Sequence, residues 1–213
     1  MSTLPVGLSR DLSAKRVMRA TVGGQDLVVW RATNGEISAW DNRCPHRGMA
    51  LSHGFVRGNT LACLYHGWHY NGAGTCTYIP AHPDLDPPAT IRTNRFSVVE
   101  QDGVIWVRTD GEAQAPDLPG GLEPLRVFIV AASADQVQCG AAQVPYEGQM
   151  ADAGAVLHFG AVSVMLLLSP LGDGRTQVTT LASAGLTVAQ RSALSRWCEA
   201  TRRHVEAQQE EAA

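Results

Sequence analysis

Two short stretches constrain this chain more than any other feature: CPHRG at residues 44–48 and CLYHGW at residues 63–68. Each places one cysteine and one histidine within three positions of each other, and each has a glycine directly after or one residue beyond the histidine. Glycine lets the backbone approach a bulky inorganic group and turn its N–H groups inward. The candidate metal ligands are therefore Cys44, His46, Cys63 and His66.

Two kinds of metal centre use two cysteines and two histidines. Zinc is bound tetrahedrally by all four, usually through pairs separated by two to five residues. The single residue between Cys44 and His46 is fewer than zinc ligand pairs usually have. A [2Fe–2S] cluster offers two irons, so each loop can supply one ligand to each iron, as in a Rieske centre. The two-iron interpretation is favoured, and a non-redox zinc-binding module is the alternative.

The stretches DNRCPHRG, CLYHGWHYNGAGTCTYIP and the opening LPVGLSRDL resemble the Rieske domain of the Rieske non-haem iron oxygenases, the ring-hydroxylating α-subunit type. The resemblance runs from about residue 4 to residue 110. It implies a mainly β Rieske domain of antiparallel sheets with an inserted cluster-binding subdomain. It also implies that Cys44 and Cys63 bind one iron while His46 and His66 bind the other.

The resemblance further distinguishes between Rieske types. Respiratory Rieske proteins carry an extra cysteine in each loop, and those positions are absent here. The oxygenase type is implied, with a potential toward the low end of the Rieske range, near about −150 mV. The residues expected to surround the cluster are Arg47, Gly48, Tyr65, Gly67 and Trp68, with Tyr65 and Trp68 screening it from water.

Alternating apolar residues and turn signals predict short strands over residues 16–22, 26–32, 36–40, 95–100 and 104–110. A segment rich in Pro, Gly and acidic residues follows, typical of a linker. Further strands are predicted at 126–133, 160–169 and 175–184, then one long helix at 187–208. We therefore expect a Rieske domain at 1–112, a linker at 113–125, and at 126–213 a small α+β domain whose antiparallel sheet is covered by one C-terminal helix.

In the resembling oxygenases the second domain holds one Fe(II) through two histidines and a carboxylate. Their Asp-x-x-His-x-x-x-x-His motif matches poorly here: Asp152 fits, Ala155 stands at the first histidine, and His158 comes two positions early. Near the expected carboxylate position lie Thr201 and Glu199. Residues 126–213 are thus expected to be a reduced, degenerate remnant of the catalytic domain, without a mononuclear iron.

The leading hypothesis is a one-electron-transfer component with one Rieske cluster. It would receive electrons from a flavin reductase or ferredoxin and pass them to a partner such as a full-length oxygenase subunit, within a homo- or hetero-oligomer. The alternative is a compact, complete Rieske monooxygenase with a rearranged iron site at Asp152, His158 and Glu199, acting on a small organic substrate.

Charge and composition limit the expected partners and location of the protein. The net charge is −3 with no basic run, so nucleic acid is not an expected partner. The longest apolar run, residues 161–168, is too short to span a bilayer. No secretory signal is seen at the N-terminus, and the odd number of cysteines, five, does not suggest a disulfide framework. The expected location is the cytoplasm.

Overall fold

The computed structural model describes residues 2–152 and 154–212, with side chains up to residue 209. The chain forms two compact units, one of residues 1–101 and 105–115, the other of residues 102–104 and 116–213. Each unit has its own apolar core. The predicted fold class is confirmed: the chain is mainly antiparallel β-structure and ends in one long helix.

The first unit is built on a six-stranded sheet with strand order β1-β10-β9-β4-β3-β2. Strand β3, which lies between β2 and β4, buries four consecutive side chains, Leu27 to Trp30, so both faces of the sheet are covered there. The alternation and turn signals found five of its strands. The sheet consists of β1 (Leu4–Leu8), β2 (Val17–Val22), β3 (Gln25–Arg31), β4 (Ile37–Asp41), β9 (Arg95–Gln101) and β10 (Val104–Arg108).

A second, four-stranded antiparallel sheet is inserted between β4 and β9. Its strands have three residues each, too few to show a period in the sequence, and the sequence analysis did not find them. This sheet carries one of the two Cys/His loops and lies over the core that contains Cys44, Cys63 and Tyr70. The strands are β5 (Phe55–Arg57), β6 (Thr60–Ala62), β7 (His69–Asn71) and β8 (Cys76–Tyr78). One-turn 3₁₀ helices occur at Ser9–Asp11 and Leu51–His53.

The second unit is an antiparallel sheet of order β11-β14-β13-β12 with helices on one face. Its elements are β11 (Leu122–Val130), α1 (Ala134–Ala141), β12 (Val156–Phe159), β13 (Val162–Pro170), β14 (Thr176–Ser183) and α2 (Val188–Ala212). Neither helix, over the residues described, is both long and apolar enough to cross a membrane.

The structure corrects two expectations for this unit. Residues 122–125 of the predicted linker already belong to β11, where a register shift between Pro124 and Arg126 accommodates the proline. A second helix, α1, was also missed. Its signal was readable, because Ser133 and Gln136 form a capping box in which each side chain accepts a hydrogen bond from the other's backbone N–H.

Gly140 allows α1 to pack closely on α2. A Cβ at this buried position would lie 2.5 Å from Cγ2 of Val205, whose branched side chain has little rotameric freedom. We expect Gly140→Ala to destabilise the protein by about 1–2 kcal/mol, since overpacking outweighs the gain in helix propensity. Urea unfolding measures this, with Gly120→Ala, where a Cβ meets nothing within 4 Å, as the control. Adding Val205→Ala should recover part of the loss; strictly additive effects would contradict the contact.

Glu100 and Arg31 form a two-bond ion pair across the first unit, with N···O distances of 2.6 and 2.7 Å. The Arg31 side chain holds the pKa of Glu100 below its ordinary value of 4.5. The pair therefore stabilises the fold fully above pH about 4.5, and its contribution is lost as pH falls through the folded pKa. We expect Glu100→Gln to cost about 1 kcal/mol at pH 7 and progressively less toward pH 3. Arg19→Gln, which removes an exposed pair, is the control; a pH-independent cost at Glu100 would contradict the assignment.

Candidate metal centre

The two Cys/His loops have the same backbone frame. In the first, the N–H of Cys44 donates to the carbonyl of Met49 at 2.8 Å, and the N–H of Gly48 donates to the carbonyl of Cys44 at 2.8 Å. Both bonds join the backbone of Cys44 to the far end of the loop and so close it. The loop follows β4 directly, so the sheet fixes where it begins.

The second loop repeats this frame between β6 and β7. The N–H of Cys63 donates to the carbonyl of Trp68, and the N–H of Gly67 donates to the carbonyl of Cys63, both at 2.9 Å. Gly48 and Gly67 have φ values of +73° and +67°, a conformation that favours glycine. A side chain at Gly67 would also meet Pro80 at 3.0 Å. The glycines are therefore required by the loop geometry itself.

The two cysteines lie on the buried side of the site, each 2% exposed. Burial, together with the neighbouring Cys44 thiol, raises the pKa of Cys63. The hydroxyl of Tyr70 lies 3.1 Å from Sγ of Cys44. Burial first, and then this hydrogen bond, raise the pKa of Tyr70, so the phenol stays protonated and can donate to sulfur. Cys76 is equally buried nearby and donates to the carbonyl of Tyr78 at 3.8 Å.

The two histidines form a second pair on the outer side. Their ring centroids are 4.6 Å apart, and the His46 ring stacks on Trp68 at 4.1 Å with the planes 6° apart. Partial burial, followed by the charges of His66 and Arg47, lowers the pKa of His46. A lowered pKa favours the neutral imidazole, the form that binds metals.

The two aromatic residues beside the histidines, Trp68 and Tyr65, differ in their exposure to solvent. Trp68 is half-buried against His46, as a screening residue should be. Tyr65 contacts the His66 ring at 3.8 Å but is itself 58% exposed, and His66 is exposed too. Tyr65 thus covers one side of the His66 ring from a solvent-exposed position, and its role in screening the site from water stays a prediction. Tyr65 lies in the turn of the second loop, between Cys63 and Gly67.

These residues fit a [2Fe–2S] cluster. Nδ1 of His46 is buried without a hydrogen-bond partner, a costly arrangement for a polar atom that metal coordination would relieve. The donors separate into a thiol pair and an imidazole pair, which suits two irons with different ligands. Among the side chains described, residues 2–152 and 154–209, no three His, Cys, Asp or Glu side chains are grouped so that they could hold a metal ion.

Tyr70 is the residue that sequence analysis missed. Its position in β7, two residues after Trp68, points it into the core with Cys44. The only sequence signal was the strand alternation His-Tyr-Asn, which is too short to interpret alone.

The three candidates for a second iron site are not brought together. Asp152 and His158 face each other across an isolated bridge, but through the backbone, with Asp152 N to His158 O at 3.4 Å. The His158 ring is bonded to Oγ of Ser163 at 2.9 Å. Glu199, on α2, is paired with Arg202 and Arg203, which lower its pKa to about 2.

Comparison with known proteins identifies the first unit. The family described as the Rieske [2Fe–2S] domain matches residues 2–93. The oxidoreductase NdmD of Pseudomonas putida is 48% identical over 103 residues, which are 48% of this chain and 18% of that protein. The cholesterol 7-desaturase nvd of Bombyx mori is 33% identical over 178 residues, 79% of this chain and 36% of that protein. This chain thus spans well under half the length of these relatives.

The fold of both units also occurs in solved structures. The structure of a mutant of NdmA from Pseudomonas putida CBB5, determined with caffeine, superposes with a TM-score of 0.76 at 19% identity, covering 96% of this chain and 81% of that one. At this identity the match shows the fold alone. Together, the fold and the paired Cys/His loops define a Rieske [2Fe–2S] domain. The part of the chain that carries it is similar in sequence to NdmD and to nvd.

The Tyr70 hydroxyl should tune the centre. A hydrogen bond to a ligand sulfur stabilises the extra electron, so its loss makes reduction harder. We expect Tyr70→Phe to lower the reduction potential by about 40 mV, the equivalent of about 1 kcal/mol for one electron. A redox titration followed by EPR measures this. Tyr78→Phe, at an exposed position in the same sheet, is the control; equal potentials for both variants would show that the 3.1 Å contact has no electronic role.

Proposed function

We propose that this chain is a one-electron-transfer component of a Rieske oxygenase-type system. The observation that carries this proposal is the paired arrangement of donors: two buried thiols beside two stacked or exposed imidazoles. A Rieske cluster bound there supplies a site that takes up and releases one electron at a time. The matched relatives are much longer than the part that this chain matches, so the activity of the whole protein belongs to the proposal.

In this proposal Cys44 and Cys63 bind one iron, and His46 and His66 bind the other. The cysteines lie in an apolar core, which excludes water from the sulfur side. The neutral imidazoles leave the site less negative than four thiolates would, which eases reduction. Among the expected neighbours, Trp68 fixes the ring plane of His46, Gly48 and Gly67 allow both loops to close, and Arg47 adds positive charge near His46.

His66 is the proposed route by which electrons leave the centre. Its ring is exposed, whereas both cysteines are almost completely buried. An electron that enters or leaves through the protein surface therefore meets the histidine side first. Tyr65 lies on the His66 ring and is exposed as well, so a partner that docks here contacts both.

The proposed donor is a flavin reductase or a ferredoxin, and the proposed acceptor is a full-length oxygenase subunit. The homology to oxidoreductases and oxygenases supports components of this kind. We propose that the second unit, which keeps its sheet and long helix, is an assembly or docking surface in a homo- or hetero-oligomer. We propose the cytoplasm as the location, because the five cysteines do not suggest a disulfide framework and two of them are proposed iron ligands.

Replacing His66 tests the ligand assignment. A thiolate adds negative charge to the centre, so His66→Cys should retain a cluster with a potential lowered by on the order of 100 mV. His53→Cys, at an exposed position outside the two loops, should leave the potential unchanged. The measurement is an EPR-monitored redox titration of both variants after anaerobic reconstitution. If His66→Cys keeps the wild-type potential and spectrum, His66 is not a ligand and the proposal loses its basis.

A further inference from the structure

A charged depression lies beside the first Cys/His loop. It has a volume of about 310 Å³ and is formed by two segments far apart in sequence, residues 41–48 and 92–94. Cys44 and His46 line its wall. The segment at 92–94 reaches this place because Thr75 and Arg92 pair across an isolated bridge, and Cys76 N donates to the carbonyl of Ile91 at 2.8 Å.

The depression is rich in positive charge. Arg43, Arg47 and Arg92 line it, and all three are exposed. None of them has an ion pair within the described part of the chain. Other arginines of the chain, such as Arg31, are paired with carboxylates, whereas these three leave their charge available to a partner.

The carboxylate among the lining residues forms no ion pair with these arginines in the described part of the chain. Asp41 also lines the depression, but its two oxygens accept hydrogen bonds from the side-chain amides of Asn94 at 2.6 Å and Gln25 at 3.0 Å. The whole chain carries a net charge of −3, so this face is opposite in sign to the molecule as a whole. Such a local reversal of sign orients an approaching charged partner.

We propose that the surface formed by Arg43, Arg47 and Arg92, called the arginine face, is the docking site for an acidic electron-carrier protein. This inference rests on the proposed function and specifies the partner's chemistry. Guanidinium groups bind carboxylates through two parallel hydrogen bonds, which fix orientation as well as attraction. A carrier seated on this face lies against His46, a proposed ligand, so docking and electron transfer occur at the same place.

The step requires no bond to be made or broken. One electron leaves the reduced carrier, which becomes oxidised by one electron, and one electron is taken up at the centre held by the two loops. The contribution of the arginines is to raise the rate of encounter and to hold the carrier in one orientation. Both effects weaken as salt screens the charges.

The test uses the full chain and a plant-type ferredoxin as the acidic probe. Arg43→Glu/Arg92→Glu reverses two charges of the arginine face and leaves Arg47 in place beside His46. Lys15→Glu/Arg16→Glu makes the same change in charge at exposed positions that do not line the depression. Two quantities are measured at low and high ionic strength: the dissociation constant for oxidised ferredoxin, and the second-order rate of reduction by reduced ferredoxin.

We expect the arginine variant to lose about tenfold in affinity and in rate at low ionic strength, with little difference from wild type at high salt. Its reduction by methyl viologen radical, a small cation, should not slow. The control pair should stay within about twofold of wild type. Equal losses in both variants, or wild-type behaviour of the arginine variant, would overturn the docking proposal.

The two proposals fail in different ways. Binding of oxidised ferredoxin can be measured whether or not a cluster is present, so it reports on the arginine face alone. A chain that binds ferredoxin through these arginines but shows no reducible centre with methyl viologen would contradict the proposed function. A chain that is reduced by methyl viologen but binds ferredoxin equally well without Arg43 and Arg92 would contradict only the docking site.

Discussion

The site depends on one backbone arrangement that the chain uses twice. In each loop the cysteine N–H and C=O are both bonded within the loop, and a glycine in the left-handed conformation lets the chain turn back. This arrangement leaves the cysteine side chain in the core and the histidine at the surface. The division into a dry sulfur side and an accessible imidazole side follows from it. The proposed route of electrons in turn follows from that division.

The candidate ligands could be named from sequence alone because the pattern that carries them is local. The spacing of Cys44 and His46, repeated in modified form at Cys63 and His66, was sufficient to favour two irons over one zinc. The longer strands were also predictable, because five or more alternating residues with turns at both ends carry a readable period. The three-residue strands β5 to β8 carry no such period.

What could not be predicted depends on contacts between distant segments. The bond from Tyr70 to Cys44 joins residues 26 positions apart, and its existence depends on the orientation of a strand too short to assign. Arg43 and Arg92 line the same depression for a similar reason, because the bridge between Thr75 and Arg92 brings the second segment there. By contrast, helix α1 was predictable from the Ser133–Gln136 capping box. Helix α1 was nonetheless missed, because the predicted strand at residues 126–133 was extended over Ser133.

The second unit has a well-formed sheet and helices, but its candidate iron ligands are engaged in other contacts. Its sheet and helices have the fold seen in the solved structure of the NdmA mutant, while His158 is bonded to Ser163 and Glu199 to two arginines. A scaffold of this kind is held by its apolar core and does not require metal ligands to fold. The central claim therefore concerns the first unit: one two-iron cluster held by two cysteines and two histidines. Iron, zinc and acid-labile sulfide content of the purified chain tests it most directly. The account predicts about two irons and two sulfides per chain, with the EPR signal of a histidine-ligated cluster on reduction; a colourless protein with zinc and no sulfide would contradict it.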